Sequence, residues 1–202
     1  MKLLVFSDIH GDREALERLM DVEADYYVSA GDLVSFWKKL SQMGGPLRRR
    51  AKRLYVLPGN HESTSLVRDF CKEFGLQEFH ERTLEIAGYH VAGFGYSSPT
   101  PFNTPGEYTE EEIALRLERF AGLNPLVLIC HCPPYGTALD RVREGVHAGS
   151  RSVGEFIRKH EPAVFICGHI HEAEGVSVQL GKTLGINAGK RGYLLDFDTL
   201  KV

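Results

Sequence analysis

The chain has 202 residues, 43% hydrophobic and 25% charged, with a formal net charge of −3. That balance fits a globular protein able to bury a core without disulfide staples. A slightly acidic chain has no general attraction for nucleic acid or anionic membranes, so neither is expected as a partner. In chain order, "KLLVF" (2–6) reads as a buried strand. "REALERLMDV" (13–22) follows with apolar residues at helical spacing and Asp12 as its N-cap. "DYYVSA" (25–30) is the next strand, and an insertion at 33–53 carries Phe36, Trp37 and the basic run "RRRAKR" (48–53). "RLYVL" (53–57) reads as a strand, and helical spacing returns near 63–74, 109–121 and 150–160. "TLEIAGYHVAGFGY" (83–96) alternates on both sides of Ala87-Gly88, the pattern of a hairpin. "PLVLIC" (125–130) and "AVFIC" (163–167) are short apolar runs bounded by turn signals, as buried strands should be. The tail, 175–198, reads as successive antiparallel strands with glycine turns. Strands alternating with helices give an α/β layered fold, expected as one domain over 1–202.

The apolar run ending at Phe6 is shorter than the roughly 7–15 residues of a secretory signal core, and no window reaches the roughly 18 of a membrane span. Cys71, Cys130, Cys132 and Cys167 lack CxxC spacing, which speaks against a zinc finger or a thioredoxin-like site. They read as reduced thiols, and the expected location is cytoplasmic.

Polar residues that can ligate or transfer protons fall at the ends of the strands. Asp8-Ile9-His10 follows the first, Gly31-Asp32 the second and Gly59-Asn60-His61 the third; His131 and Gly168-His169-Ile170-His171 follow the two later apolar runs. In open α/β sheets, ligands bind at the carboxyl ends of strands, so these residues are expected to converge. Asp8 and His10, like His169 and His171, are one residue apart, and in extended backbone such pairs point the same way. Together Asp8, His10, Asp32, Asn60, His131, His169 and His171 offer two carboxylates, an amide and four imidazoles, more than one ion uses. Two metals sharing Asp32 are expected. A nitrogen and oxygen set without thiolate suits Mn, Fe, Zn, Co or Ni, with Mn or Fe first among them. Two such ions clamp an in-line phosphoryl displacement and supply a bridging hydroxide as nucleophile. His61 lies beside this set and is expected to act as the catalytic imidazole, donating a proton to the departing alkoxide. Glu62 is expected to favour the N-terminus of the following helix in preference to holding His61.

These pieces, "DIH", "GD", "GNHE", a lone His and "GHIH", stand in order over residues 8–171 and resemble the calcineurin-like metallophosphoesterase family, in its compact prokaryotic form. The resemblance implies a four-layer αββα fold, a β-sandwich flanked by helices. It further implies one metal on Asp8, His10, Asp32 and His171, and a second on Asp32, Asn60, His131 and His169, with His61 catalytic. "CHCPP" (130–134) departs slightly, with cysteine where a small residue often precedes the lone histidine.

The expected function is hydrolysis of a small phosphate ester, a diester in preference to a monoester because the motifs contain no Arg or Lys. A phosphomonoesterase or nuclease of the same family is the alternative. A non-catalytic protein-interaction module on this scaffold, like the retromer subunit that resembles the family, is the alternative of another class. Candidate substrate contacts are Asn60, His61, Arg141 and His147, with Arg143 beside them. His80, His90 and His160 read as ordinary surface or core histidines. "RRRAKR" reads as a solvated helix face, Phe36 and Trp37 as packing residues of the cleft wall, and "SSPTPFNTPGEY" (97–108) as a loop at its rim.

Overall fold

A computed structural model describes residues 1–35 and 39–200; Phe36 and Trp37 lie outside the described residues. The first half runs β1 (Lys2–Phe6), α1 (Arg13–Asp21), β2 (Tyr26–Ser29), α2 (Gly44–Leu47), β3 (Leu54–Val56), α3 (Thr64–Phe74) and β4 (Gln77–Glu78). Then come β5 (Arg82–Ile86), β6 (Tyr89–Phe94), α4 (Glu110–Leu117), β7 (Leu126–Cys130), β8 (Arg141–Arg143) and β9 (Val146–His147). The chain ends with α5 (Arg151–His160), β10 (Val164–Cys167), β11 (Ser177–Leu180), β12 (Thr183–Asn187) and β13 (Tyr193–Asp196).

Two sheets form, one ordered β13-β1-β2-β3-β4 and the other β11-β12-β10-β7-β6-β5, with β8-β9 a separate ribbon. Both faces of the central strands are buried, which is why their sequences are unbroken apolar runs. Leu3 and Val5 point inward with Val28 to meet Val127, Ile129, Val164 and Ile166 of the other sheet. Leu4 and Phe6 point outward and pack with Leu16, Met20, Val67 and Phe70 of α1 and α3. On the far side Leu128, Cys130, Phe165 and Cys167 face Ile113 and Leu117 of α4 and Val153 and Phe156 of α5. Three apolar clusters therefore separate four layers, helix–sheet–sheet–helix, the αββα arrangement expected. Each amphipathic helix starts on a side-chain cap. Asp12 accepts from the Ala15 N–H, Ser63 from Leu66 and Ser150 from Val153, while Thr109 and Glu112 form a capping box.

The tail departs from a run of consecutive antiparallel strands. β11 and β12 do form an antiparallel hairpin, but β12 pairs in parallel with β10. β13 then crosses to the other sheet and pairs antiparallel with β1, from Lys2↔Asp196 to Val5↔Tyr193. Periodicity shows where a strand lies and not which edge it joins, and here the open edge of β1 takes it. The basic run 48–53 is a 3-10 turn laid on the end of α1. Arg49 pairs with Asp21 at 2.5 Å, and Arg50 donates to Glu23 at 2.6 Å and to the Met20 carbonyl at 3.0 Å. Cations there complement the negative end of the helix. All four cysteines are free and buried. No helix among the described residues is long and apolar enough to cross a membrane.

Tyr27, fully buried, closes the turn from α1 to β2: its hydroxyl donates to the Val22 carbonyl at 2.8 Å and accepts from the Ala24 N–H at 3.0 Å. Tyr27→Phe strands both backbone groups and is expected to cost about 1–3 kcal/mol. A lowered urea midpoint with an unchanged far-UV circular dichroism spectrum checks it.

Candidate metal centre

Strands β1, β2 and β3 are parallel neighbours in one sheet, and β7 and β10 are parallel neighbours in the other. All five carboxyl ends therefore open on the same edge of the sandwich. Two bonds tie the sheets together there: the His169 N–H donates to Asp8 Oδ2 at 2.8 Å, and His131 Nδ1 bonds the Ala30 carbonyl at 2.9 Å. The second bond places the proton on Nδ1 and leaves Nε2 to face the cavity.

The seven predicted donors meet. His10 Nε2 lies 3.1 Å from His171 Nε2, 3.7 Å from Asp32 Oδ2 and 3.9 Å from Asp8 Oδ1. His131 Nε2 lies 3.0 Å from Asn60 Oδ1 and 3.5 Å from the same Asp32 Oδ2, and His169 Nδ1 lies 2.9 Å from Asn60 Oδ1. One oxygen of Asp32 thus belongs to two donor groups. Ligands each about 2.1 Å from a cation stand roughly 3.0–3.4 Å apart, close to these spacings. Asp8 Oδ1 is buried with no hydrogen-bond partner, an arrangement that is costly for a carboxylate unless a cation completes it. The residues fit bound metal. His10, Asp32 and His61 also lie close enough to form a group, so His61 stands beside the shared carboxylate. Its Nε2 is 3.9 Å from Asp32 Oδ2, and its backbone N–H donates to Asp32 Oδ1 at 3.0 Å.

The geometry behind the one-residue spacing is not extended backbone. Asp8, His10, Asp32 and His169 adopt φ of 59°, 48°, 54° and 68°. Left-handed backbone turns each side chain back over the strand end, where a straight strand would carry it past. Such conformations cost about 1–3 kcal/mol each for residues other than glycine and cluster at functional sites. The motif glycines serve close approach. A Cβ on Gly59 would collide with the Asp32 carboxylate, and one on Gly168 with Ser7 and Asp8.

The sequence profile of the calcineurin-like phosphoesterase family matches residues 1–173. This chain belongs to the calcineurin-like phosphoesterase family. An uncharacterized protein of Methanocaldococcus jannaschii, MJ1162, is 31% identical over 212 residues, covering 100% of this chain and 93% of that protein. The crystal structure of TT1561 of Thermus thermophilus superposes with a TM-score of 0.75 at 21% identity, over 99% of this chain and 96% of that one. The phosphopantetheinyl hydrolase of Mycobacterium tuberculosis superposes with a TM-score of 0.67 at 14% identity, over 93% of this chain and 88% of that one. Both structures share the fold.

The electrostatics of this calcineurin-like centre follow from its buried carboxylates. Burial acts to raise the Asp8 carboxyl, yet His171 and His131 hold it below the usual range. Burial acts to lower His131, but the facing Asp32 and Asp8 charges raise it to about 9. His169 is pushed down to about 4 by burial and by the neighbouring His131 charge. The facing carboxylates favour positive charge on His131 against its burial, so the cavity suits cations.

Glu62 does neither of the things expected from its place before a helix. It is buried, and its carboxylate accepts from the backbone N–H groups of Asp32 and Gly59 at 2.9 Å each and of Val34 at 3.1 Å. It clamps the loops after β2 and β3 together, and burial with the Asp32 charge pushes its carboxyl up to about 8. Thr104 was also hidden in the sequence. It accepts from Asn60 Nδ2 at 3.0 Å and donates to Glu107 at 2.6 Å, which fixes the amide so that its oxygen faces His131 and His169.

A cleft of about 750 Å³ opens beside the donors, lined by His10, Asp32, Asn60, His61 and His169 on one side. Ser98 to Phe102 of the 97–108 loop line it too, as does His147. His147 is held by Asp140 at 2.7 Å. Arg141 is exposed on β8 and is not part of the lining, nor is Arg143, whereas Arg151 at the start of α5 is. His80 is buried in an aromatic cluster with Phe94, Tyr96 and Tyr108.

Glu62→Gln turns an N–H towards a backbone N–H and breaks at least one of the three bonds. A loss of about 1–3 kcal/mol is expected, with metal affinity about 10–100-fold weaker. Thermal melts and competition against a chromophoric chelator measure the two effects.

Proposed function

We propose that this chain hydrolyses phosphate esters, diesters in preference to monoesters, at a centre of two divalent transition metals. The observation that carries this reading is the shared oxygen of Asp32, which faces His10 at 3.7 Å on one side and His131 at 3.5 Å on the other. Asp8, His10, Asp32 and His171 would hold one ion, and Asp32, Asn60, His131 and His169 the other. Mn or Fe is favoured, with Zn, Co and Ni also matching a nitrogen and oxygen set. Bound there, the ions supply Lewis acidity at the phosphoryl oxygen and a nucleophilic water near neutral pH.

The protein's own groups do the rest. His61, on the cleft side of Asp32, protonates the departing alkoxide from its imidazole, while its backbone N–H to Asp32 fixes the ring's origin. Both atoms of the Asn60 amide are engaged, which keeps this residue to metal binding. His147, oriented by Asp140, is positioned to contact the ester, and Arg151 takes the place that the sequence offered to Arg141. Glu110 and Glu172 line the same cleft as Arg151. One cation against two carboxylates suits the single charge of a diester better than the double charge of a monoester. The nuclease reading has no separate support in the cleft.

Dialysis against chelator is expected to abolish hydrolysis of bis(4-nitrophenyl) phosphate, and adding back Mn, Fe, Co, Ni or Zn to restore it. His61→Ala is expected to keep two metals by elemental analysis and to lose about 10²–10⁴-fold in kcat. Asp32→Ala is expected to lose metal outright. Full turnover by metal-free protein, or two metals retained by Asp32→Ala, overturns the assignment.

A further inference from the structure

We propose that the cleft wall made by Phe102, Tyr135 and Arg151 selects esters carrying a flat aromatic or heteroaromatic arm, an inference that rests on the phosphoesterase reading. Phe102 is 76% exposed and Tyr135 41%, and both line the same cleft as His10, Asp32, Asn60 and His61. Exposed apolar groups gathered in one cleft beside a polar centre, unlike ones scattered singly, form the kind of surface that a ligand covers. The Tyr135 ring is held by its neighbours. Tyr135 carries the Arg151 guanidinium 4.3 Å from its ring centre and meets the His147 ring edge-on at 5.9 Å. Among the described residues the Arg151 side chain has no acidic partner within ion-pair distance. Its charge is therefore available beside the ring for an anionic ester.

Phe102 sits on a loop closed by four backbone and side-chain ties. Glu107 accepts from Thr100 Oγ1 at 2.6 Å and from Thr104 N at 2.8 Å, the Phe102 N–H donates to Thr100 Oγ1 at 3.2 Å, and Ser97 N donates to the Gly106 carbonyl at 3.1 Å. That loop is in turn fixed to the metal side, because the Gly106 N–H donates to the Asn60 carbonyl at 2.9 Å and Thr104 accepts from the Asn60 side chain. The backbone that carries Phe102 is thus held in a set relation to the donors. Pro99, Pro101, Val142 and Ile170 complete an apolar surface that gives a sugar-like or highly hydroxylated arm little to bond. A planar ring gains from stacking there, with the phosphoryl group on the donors and its negative charge towards Arg151.

The test uses monoanionic diester analogues with no hydrolysable bond. Dissociation constants of methylphenylphosphinate, methylpropylphosphinate and dimethylphosphinate are measured by NMR titration of the Zn-loaded protein. The phenyl compound is expected to bind up to about tenfold tighter than the propyl one, the scale of one aromatic contact. Phe102→Ala and Tyr135→Leu should each erase most of that ratio, Phe102→Ala with dimethylphosphinate binding unchanged. Phe102→Trp should keep it, as should Leu115→Ala, which removes an equally exposed side chain on α4 away from the cleft. A ratio near one in the unaltered protein, or one that survives both ring deletions, overturns the inference alone. Failure of dimethylphosphinate to bind the loaded protein overturns the phosphoesterase reading beneath it.

Discussion

The strand ends are organised around one buried carboxylate, that of Asp32. Its Oδ2 faces His10 and His131, its Oδ1 takes the His61 N–H, and its own backbone N–H goes to Glu62. Asp8 and Glu62 are buried within the same few ångströms of structure. Three carboxyl groups in a dry interior repel one another and lose hydration, an arrangement no fold keeps without compensation. Here each finds a different partner. Glu62 is met by three backbone N–H groups and Asp32 by imidazoles and one N–H, while Asp8 takes the His169 N–H on Oδ2 and has only the more distant His10 and His171 imidazoles facing Oδ1, with no hydrogen bond there. The remaining demand for positive charge is what defines the centre.

That demand needs both sheets. A single parallel sheet delivers the ends of β1, β2 and β3, which supply Asp8, His10, Asp32 and Asn60, an oxygen-rich set with one imidazole. The second sheet brings His131, His169 and His171 from β7 and β10. Joining the two requires the sheets to stack with their parallel strands running to the same edge, and the apolar inner faces of Val5, Val28, Ile129 and Ile166 fix that stacking. Hydrophobic burial therefore sets the separation of the donors, and the left-handed residues at Asp8, His10, Asp32 and His169 are held in a costly conformation by a core that does not yield.

How much of this was legible depends on the kind of signal. Strands and amphipathic helices were, because a buried strand must be apolar and a surface helix must repeat every three to four residues; the hairpin about Ala87-Gly88 and the Asp12 cap are direct cases. The donors were legible because imidazole and carboxylate at successive strand ends have little other purpose. Their backbone was not, since nothing in "DIH" separates an extended from a left-handed Asp8. The role of Glu62 is not legible, because a carboxylate before a helix has an ordinary local use, while its partners Val34 and Gly59 come from two different loops. Arg151 and Thr104 carry no local mark at all: one is a first-turn helix residue and the other a loop threonine, and only tertiary folding brings them to the cleft. The crossing of β13 to β1 was hidden for the same reason, as edge choice is a property of the whole sheet.

The 97–108 loop shows how the two kinds of information join. Its composition, rich in Pro, Ser and Thr, has no helical or strand period, and by itself it reads only as a rim. Yet Thr104 and Gly106 bond both the side chain and the backbone of Asn60, so the loop helps hold the amide oxygen toward His131 and His169. The same loop carries Phe102. A change in the apolar wall is for this reason mechanically connected to the Asn60 amide, through a short chain of hydrogen bonds. Variation in such a loop would alter which arm the cleft accepts while its Thr and Glu anchors keep the donors aligned, which separates specificity from chemistry within a single stretch of chain.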